Sequence, residues 1–243
     1  MDAIVVMKRY EVKYILNKEQ LSYLKEALLE HMDIDDYGKT TISSLYYDTD
    51  DYRLIRASIE KPAYKEKIRL RSYGLAHSDS PVYLEVKRKA YGITYKRRVA
   101  LKEEDAVKFI NHQNYSLGNN QIAKEITYFR DYYKKLIPQI LIIYDRTAYY
   151  EKDGDIRLTI DENPRYRTYD LNLHSSNDGM SLLSNGGAIL EIKVQEQMPL
   201  WLSNILSQGK IYKTAFSKVG EAYKQINRRI INKEIVKERS ITL

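Results

Sequence analysis

The sequence predicts an α+β domain built on a closed, mostly antiparallel β-barrel of about eight strands, with a polar, basic interior and a jacket of helices. Three observations predict it. Eight segments alternate apolar and polar residues with the two-residue period of strands, and five others show helical spacing. Strand after strand gathers its cations on a single face. The chain also carries 23 tyrosines against 3 phenylalanines and 1 tryptophan, and tyrosine favours strands whose side chains join an apolar body to a polar tip.

The elements follow in order. A strand over Arg9–Leu16 precedes a helix over Lys18–His31, and a second strand covers Ile42–Asp48. Tyr64–Tyr73, Val82–Ala90 and Ile93–Leu101 are the next three strands, the last two joined at the turn signal Ala90-Tyr91-Gly92. Helical patterns run over Lys102–Asn111 and Asn120–Ile137. Strands Gln139–Tyr150 and Asp155–Asp161 meet at Asp153-Gly154. The Asn-, Ser- and Gly-rich stretch from Asn163 to Gly187 reads as a long excursion within one domain. A strand over Ala188–Val194 and helices over Pro199–Gln208 and Ser217–Ile231 complete a single domain spanning residues 1–243.

Splitting the strands by face explains why a barrel is expected. Lys65, Lys67, Arg69 and Arg71 share a face, as do Glu85, Lys87 and Lys89, then Lys96 and Arg98. Tyr144 and Arg146 lie together, as do Arg157 and Asp161, and Glu191 and Lys193. Two unit charges 5 Å apart at an effective dielectric of 20 repel by about 3 kcal/mol. Such a surface needs water and counterions or a bound polyanion. About eight strands suffice to close a barrel, and the apolar side would then face outward under the helices.

Composition narrows the chemistry. Lys plus Arg total 40 against 33 acids, a net charge of +7 that suits an anionic partner. The absence of cysteine excludes disulfides, thiolate zinc sites and cysteine nucleophiles. The four histidines (His31, His77, His112, His174) show no metal-ligand spacing. No apolar run approaches the roughly 20 residues of a membrane span, and no secretory signal is evident, so the expected location is the cytoplasm. Gly38-Lys39-Thr40 resembles the end of a phosphate-binding P-loop but lacks its upstream glycine. Nucleic acid is not an expected partner, because its readers place cations and stacking aromatics on an accessible face.

Eight short motifs in order resemble the VTC (vacuolar transporter chaperone) polyphosphate polymerase domain, within the triphosphate tunnel superfamily. They are Arg9-Tyr10-Glu11-Val12-Lys13, Tyr46-Tyr47-Asp48-Thr49, Lys67-Ile68-Arg69-Leu70-Arg71 with Tyr73-Gly74, and Glu85-Val86-Lys87. The remaining four are Lys96-Arg97-Arg98, Tyr144-Asp145-Arg146-Thr147-Ala148, Glu191-Ile192-Lys193 and Phe216-Ser217-Lys218. One departure is Arg9, where members of the wider superfamily begin Glu-x-Glu-x-Lys. The phosphate-sensing domain and membrane segments of the eukaryotic polymerases are not expected in this chain.

The resemblance implies phosphoryl transfer from ATP or another nucleoside triphosphate to a phosphate chain, with inorganic triphosphate and polyphosphate as further ligands. It implies phosphate binding by Lys13, Arg69, Arg71, Lys87, Lys96, Arg98, Arg146, Arg157, Ser217 and Lys218, with Lys87, Arg146, Glu191 and Lys218 closest to the chemistry. Glu191 would hold Mn²⁺ or Mg²⁺, or else act as a counter-charge to neighbouring lysines. Ser217 would bind phosphate or serve as a helix N-cap. Tyr144 would touch the nucleotide. Glu11 and Glu85 read as ion-pair partners. A triphosphate hydrolase and a non-catalytic polyphosphate-binding module remain as alternatives.

Overall fold

The computed structural model describes residues 10–60, 62–91, 93–151, 154–195 and 197–241, with side chains of 185 and 233–241 excepted. Arg9, Gly92 and Asp153 lie outside the described residues. The elements begin with β1 (Tyr10–Leu16), α1 (Lys18–Leu28), β2 (Asp33–Asp48) and α2 (Arg53–Glu60). Strands β3 (Tyr64–Tyr73), β4 (Pro81–Ala90) and β5 (Ile93–Lys102) follow, then α3 (Glu103–Ile110) and α4 (Gln121–Tyr133). The chain continues through β6 (Ile137–Tyr150), β7 (Arg157–Arg167), β8 (Met180–Ser181) and β9 (Ala188–Val194). It ends with α5 (Leu200–Gln208), β10 (Lys213–Thr214) and α6 (Lys218–Ile241).

All described strand pairs are antiparallel, in the order β10-β1-β9-β7-β6-β2-β3-β4-β5, with β8 beside β7. This corrects the expected closed barrel: the path is open, and β10 and β5 are its two ends. Helix α4 meets β5, where Glu125 accepts from Arg97 Nε at 2.7 Å. The outer edge of β1 is met by β10 only at Lys13 and Tyr14. The sheet still curls strongly. Lys87 on β4 lies 3.7 Å from Glu11 on β1, although five strands separate them in the sheet order.

Two apolar layers cover the convex face. Phe109, Ile110, Ile126 and Phe129 of α3 and α4 pack on Leu45, Ile68, Leu70, Leu84 and Val86. Leu24, Leu28, Leu202 and Leu206 of α1 and α5 pack on Leu16, Leu158, Ile160, Leu190 and Ile192. The concave face is divided. Ile42, Ile140 and Ile142 on the central strands point inward and are covered by Ile55 of α2 and by Val219 and Ala222 of α6. A sheet buried on both faces reads as a continuous apolar run, as in Ile140-Leu141-Ile142-Ile143. This inner apolar plug is the second departure from a barrel lined throughout by charge.

Local chemistry sets the helix starts. Asn17 and Gln20 form a reciprocal capping box on α1, and Asn120 accepts from Ala123 N on α4. Helix α2 has no counterpart among the predicted elements. Its first turn is held by Asp48 at the end of β2, whose carboxylate accepts from the amides of Leu54 and Ile55 at 2.8 Å each. The excursion read as a loop from Asn163 extends β7 to Arg167 and then adds β8. Buried Arg167 anchors it by donating to Ser176 O at 2.9 Å and Asp170 O at 3.0 Å.

Candidate active site on the concave face

Strand alternation turns Lys13, Arg69, Arg71, Lys87, Lys96, Arg98, Arg146 and Arg157 to the concave side, and Lys218 reaches it from the first turn of α6. Four carboxylates stand among them and organise the cations into groups.

Glu85, 1% exposed, is the first centre. Its Oε2 accepts from Arg69 Nε at 2.8 Å, while Oε1 lies 2.7 Å from Lys96 Nζ and 3.1 Å from Arg98 Nε. Arg71 Nε stands 3.9 Å from Oε2. Burial alone would raise the Glu85 pKa, but Arg69, Arg71 and Lys96 outweigh it and hold the group at about 2. Arg71 also donates to Tyr144 Oη at 3.1 Å. Tyr144 is buried, and its ring underlies Arg146 and Lys218, whose charges sit 5.1 and 4.5 Å from its centroid.

Asp161, fully buried, is the second centre. It accepts from Arg146 Nε and Nη2 at 2.6 and 2.8 Å, a bidentate grip, and from Lys218 Nζ. Burial opposes its ionisation, but Lys218 and Arg146 hold its pKa below the usual carboxylate range.

Glu191 and Glu11 share Lys13, at 3.6 and 3.1 Å, and Glu191 also accepts from Lys193 at 2.9 Å. Burial raises the Glu191 pKa, yet Lys193 and Lys13 prevail and drive it far down. Glu11 moves down for the same reason, its largest favourable neighbour being Lys87. Arg157 pairs in register with Lys193 at the exposed rim and has no ion pair among the described residues. Ser217 caps α6: its Oγ accepts from Gly220 N at 3.3 Å and from Lys67 Nζ at 3.2 Å.

Lys67, Lys193, Asp161 and Tyr46 join this face without having been among the predicted site residues. The Lys65-Lys67-Arg69-Arg71 alternation carried the signal for Lys67, and the Glu-x-Lys spacing of Glu191 and Lys193 carried it for Lys193. Tyr46 Oη accepts from Arg69 Nη1 at 2.9 Å. Burial would raise its pKa, but Arg69, Lys67 and Arg71 bring it to about 7.

The carboxylate chemistry is compatible with a divalent ion. Among the described residues no three potential metal-ligating side chains converge, so any ion here would take most of its oxygens from phosphate and water, as Mg²⁺ commonly does. Ionised Glu191 offers about four lone-pair sites, two of them facing Lys13 and Lys193.

Comparison with known proteins bears on the fold and the family. A putative adenylate cyclase from Bacillus halodurans shares the fold at a TM-score of 0.56 and 15% identity, over 87% of this chain and 96% of that one. A putative adenylyl cyclase from Hippeastrum, described as having a dominant triphosphatase activity, matches at 0.52 and 16%, over 86% and 91%. At these identities the likeness concerns the fold alone. Vacuolar transporter chaperone complex subunit 4 of Schizosaccharomyces pombe is 24% identical over 82% of this chain, which spans about a third (34%) of that relative's length. No helix among the described residues is long and apolar enough to cross a membrane. The VTC domain model matches residues 8–227, from just before β1 into α6, so it takes in every strand and the cationic face they build, and the chain belongs to the VTC domain family.

Proposed function

We propose that this chain is a nucleoside-triphosphate-dependent polyphosphate polymerase, moving the terminal phosphoryl group of ATP or a similar nucleotide onto a growing phosphate chain, with Mn²⁺ or Mg²⁺ held at Glu191. The observation that carries this reading is the charge arrangement of the concave face. Among the described residues at least eleven cations (the nine predicted, with Lys67 and Lys193) surround four carboxylates, and each of these carboxylates is ion-paired with its pKa held down.

A hydrolase must activate water, and a strongly acidic carboxylate is a poor general base at neutral pH. A phosphate acceptor is already an anionic nucleophile. It needs neighbouring cations to bring it in line beside the donor, since phosphoryl transfer is catalysed mainly by positioning and charge stabilisation. Arginine forks at Arg69, Arg71 and Arg146 suit phosphoryl oxygens, and Lys13, Lys87, Lys96 and Lys218 add compact charges. A bound divalent ion would supply further neutralisation of the phosphate oxygens.

Incubation with ATP and Mn²⁺ should yield ADP and a ladder of phosphate chains on a gel. Stoichiometric orthophosphate, with no chain longer than the substrate's, would assign the chain to triphosphate hydrolysis instead. Binding without turnover would leave a polyphosphate-binding module.

A further inference from the structure

At the middle of the concave face one cation differs from its ion-paired neighbours, sharing the lack of a carboxylate partner among the described residues with Arg157 at the rim. Lys67 on β3 has no carboxylate within ion-pair distance among the described residues, whereas Lys13, Arg69, Lys87, Lys96, Arg98, Arg146 and Lys218 all do. Its Nζ instead donates to Ser217 Oγ at 3.2 Å. Ser217 Oγ accepts from Lys67 and from Gly220 N, and among the described residues its own hydroxyl hydrogen has no acceptor. Lys67 and Ser217 are both half-buried. Together they present an ammonium, a hydroxyl donor and the first turn of a 24-residue helix.

We propose that Lys67 and Ser217 form a phosphoryl-oxygen subsite at the centre of the concave face. This rests on the phosphate-handling reading above and adds a residue to it. A carboxylate is what this point lacks among the described residues. The charges facing Lys67 are Lys65 and Arg69 on its own strand, Lys87 on β4, Lys13 on β1, Tyr46 on β2 and Lys218 beside Ser217 on α6. Burial and the lysines lower the Lys67 pKa, Tyr46 pushes the other way, and the balance lies at about 8. A phosphoryl oxygen beside Nζ would favour the charged form. Binding near pH 8 would therefore draw a proton from solvent, whereas an arginine, charged at any working pH, would draw none.

The test is titration calorimetry with inorganic triphosphate, without nucleotide or metal, in buffers of differing ionisation enthalpy at pH 8. In the parent, Lys67 should contribute roughly half an equivalent of proton uptake, beside what Tyr46 takes up. Lys67→Met should bind about 10- to 100-fold more weakly, the loss of one charge-assisted contact, with about half an equivalent less uptake than the parent. Lys67→Arg should keep the affinity, again with about half an equivalent less uptake than the parent. If the parent binds but Lys67→Met matches it in affinity and uptake, the subsite is refuted while the phosphate reading stands. If the parent does not bind triphosphate, the phosphate reading itself fails. Circular dichroism confirms that each variant is folded before its binding is read.

Discussion

Glu85→Gln separates the four cations around Glu85 from the carboxylate that neutralises them while keeping its shape. Glutamine imitates the protonated acid, so the cost at pH 7 equals the linkage energy of the ionised form. The Glu85 pKa falls from 4.5 to about 2, and at about 1.4 kcal/mol per unit this amounts to about 3 kcal/mol. Because Glu85 is 1% exposed, little of this is lost to solvent screening. For a domain of this size it corresponds to about 6–12 °C in melting midpoint.

The sign fixes a pH signature. A carboxylate with a depressed folded-state pKa contributes its full stability above its unfolded value, and loses it as pH falls towards about 2. The gap between parent and variant in urea denaturation should therefore be full at neutral pH and narrow steadily on acidification below about pH 4.5. Inorganic triphosphate should also narrow the gap at pH 7, since the anion replaces the missing charge. A gap under about 1 kcal/mol, or one independent of pH, would refute the reasoning, because the four cations would then be neutralised elsewhere.

Three further outcomes are expected. Glu191→Gln should remove metal-dependent turnover while leaving metal-free triphosphate binding intact or tighter; turnover within about twofold of the parent would reject Glu191 as the ligand. Near-ultraviolet titration should show one phenolate appearing with a midpoint of about 7, absent from Tyr46→Phe and moved upward by triphosphate as the anion offsets Arg69 and Lys67. Asp48→Ala should cost about 2 kcal/mol by releasing the first turn of α2, read as a lower urea midpoint with faster amide exchange at Leu54 and Ile55.

Where one face of a strand is polar and the other apolar, alternation locates it well: the predicted Tyr64–Tyr73 and Ala188–Val194 coincide with β3 and β9. The same alternation put the predicted cations on one side of the sheet. It could not show that the central strands carry Ile42, Ile140 and Ile142 on that side too, because a continuous apolar run does not reveal which of its faces meets which helix. Strand number alone does not decide closure, because it is silent on a two-residue β10 or on α4 lying against β5. Helix α2 is eight residues long and takes its cap from Asp48, five residues before its start, so local spacing carried little sign of it. Tyr46 looked like one packing tyrosine among many, and only the curl of the sheet brings Arg69 and Lys67 around it.

The carboxylates set into the cationic face give the protein the character of an ion exchanger whose resident counterions are attached to the matrix. An incoming anion competes with Glu85, Asp161, Glu11 or Glu191 for cations they already hold, so each single contact yields only a difference between two ion pairings. A monovalent ion gains little from that exchange. A chain of phosphates can engage several groups at once, and after the first contact the others form at high effective concentration. Selectivity by valence and length would follow from the resident acids and, on the function proposed above, so would reversibility: at the ion-paired cations no single phosphate would be held so tightly that a growing polyanion could not advance along the face.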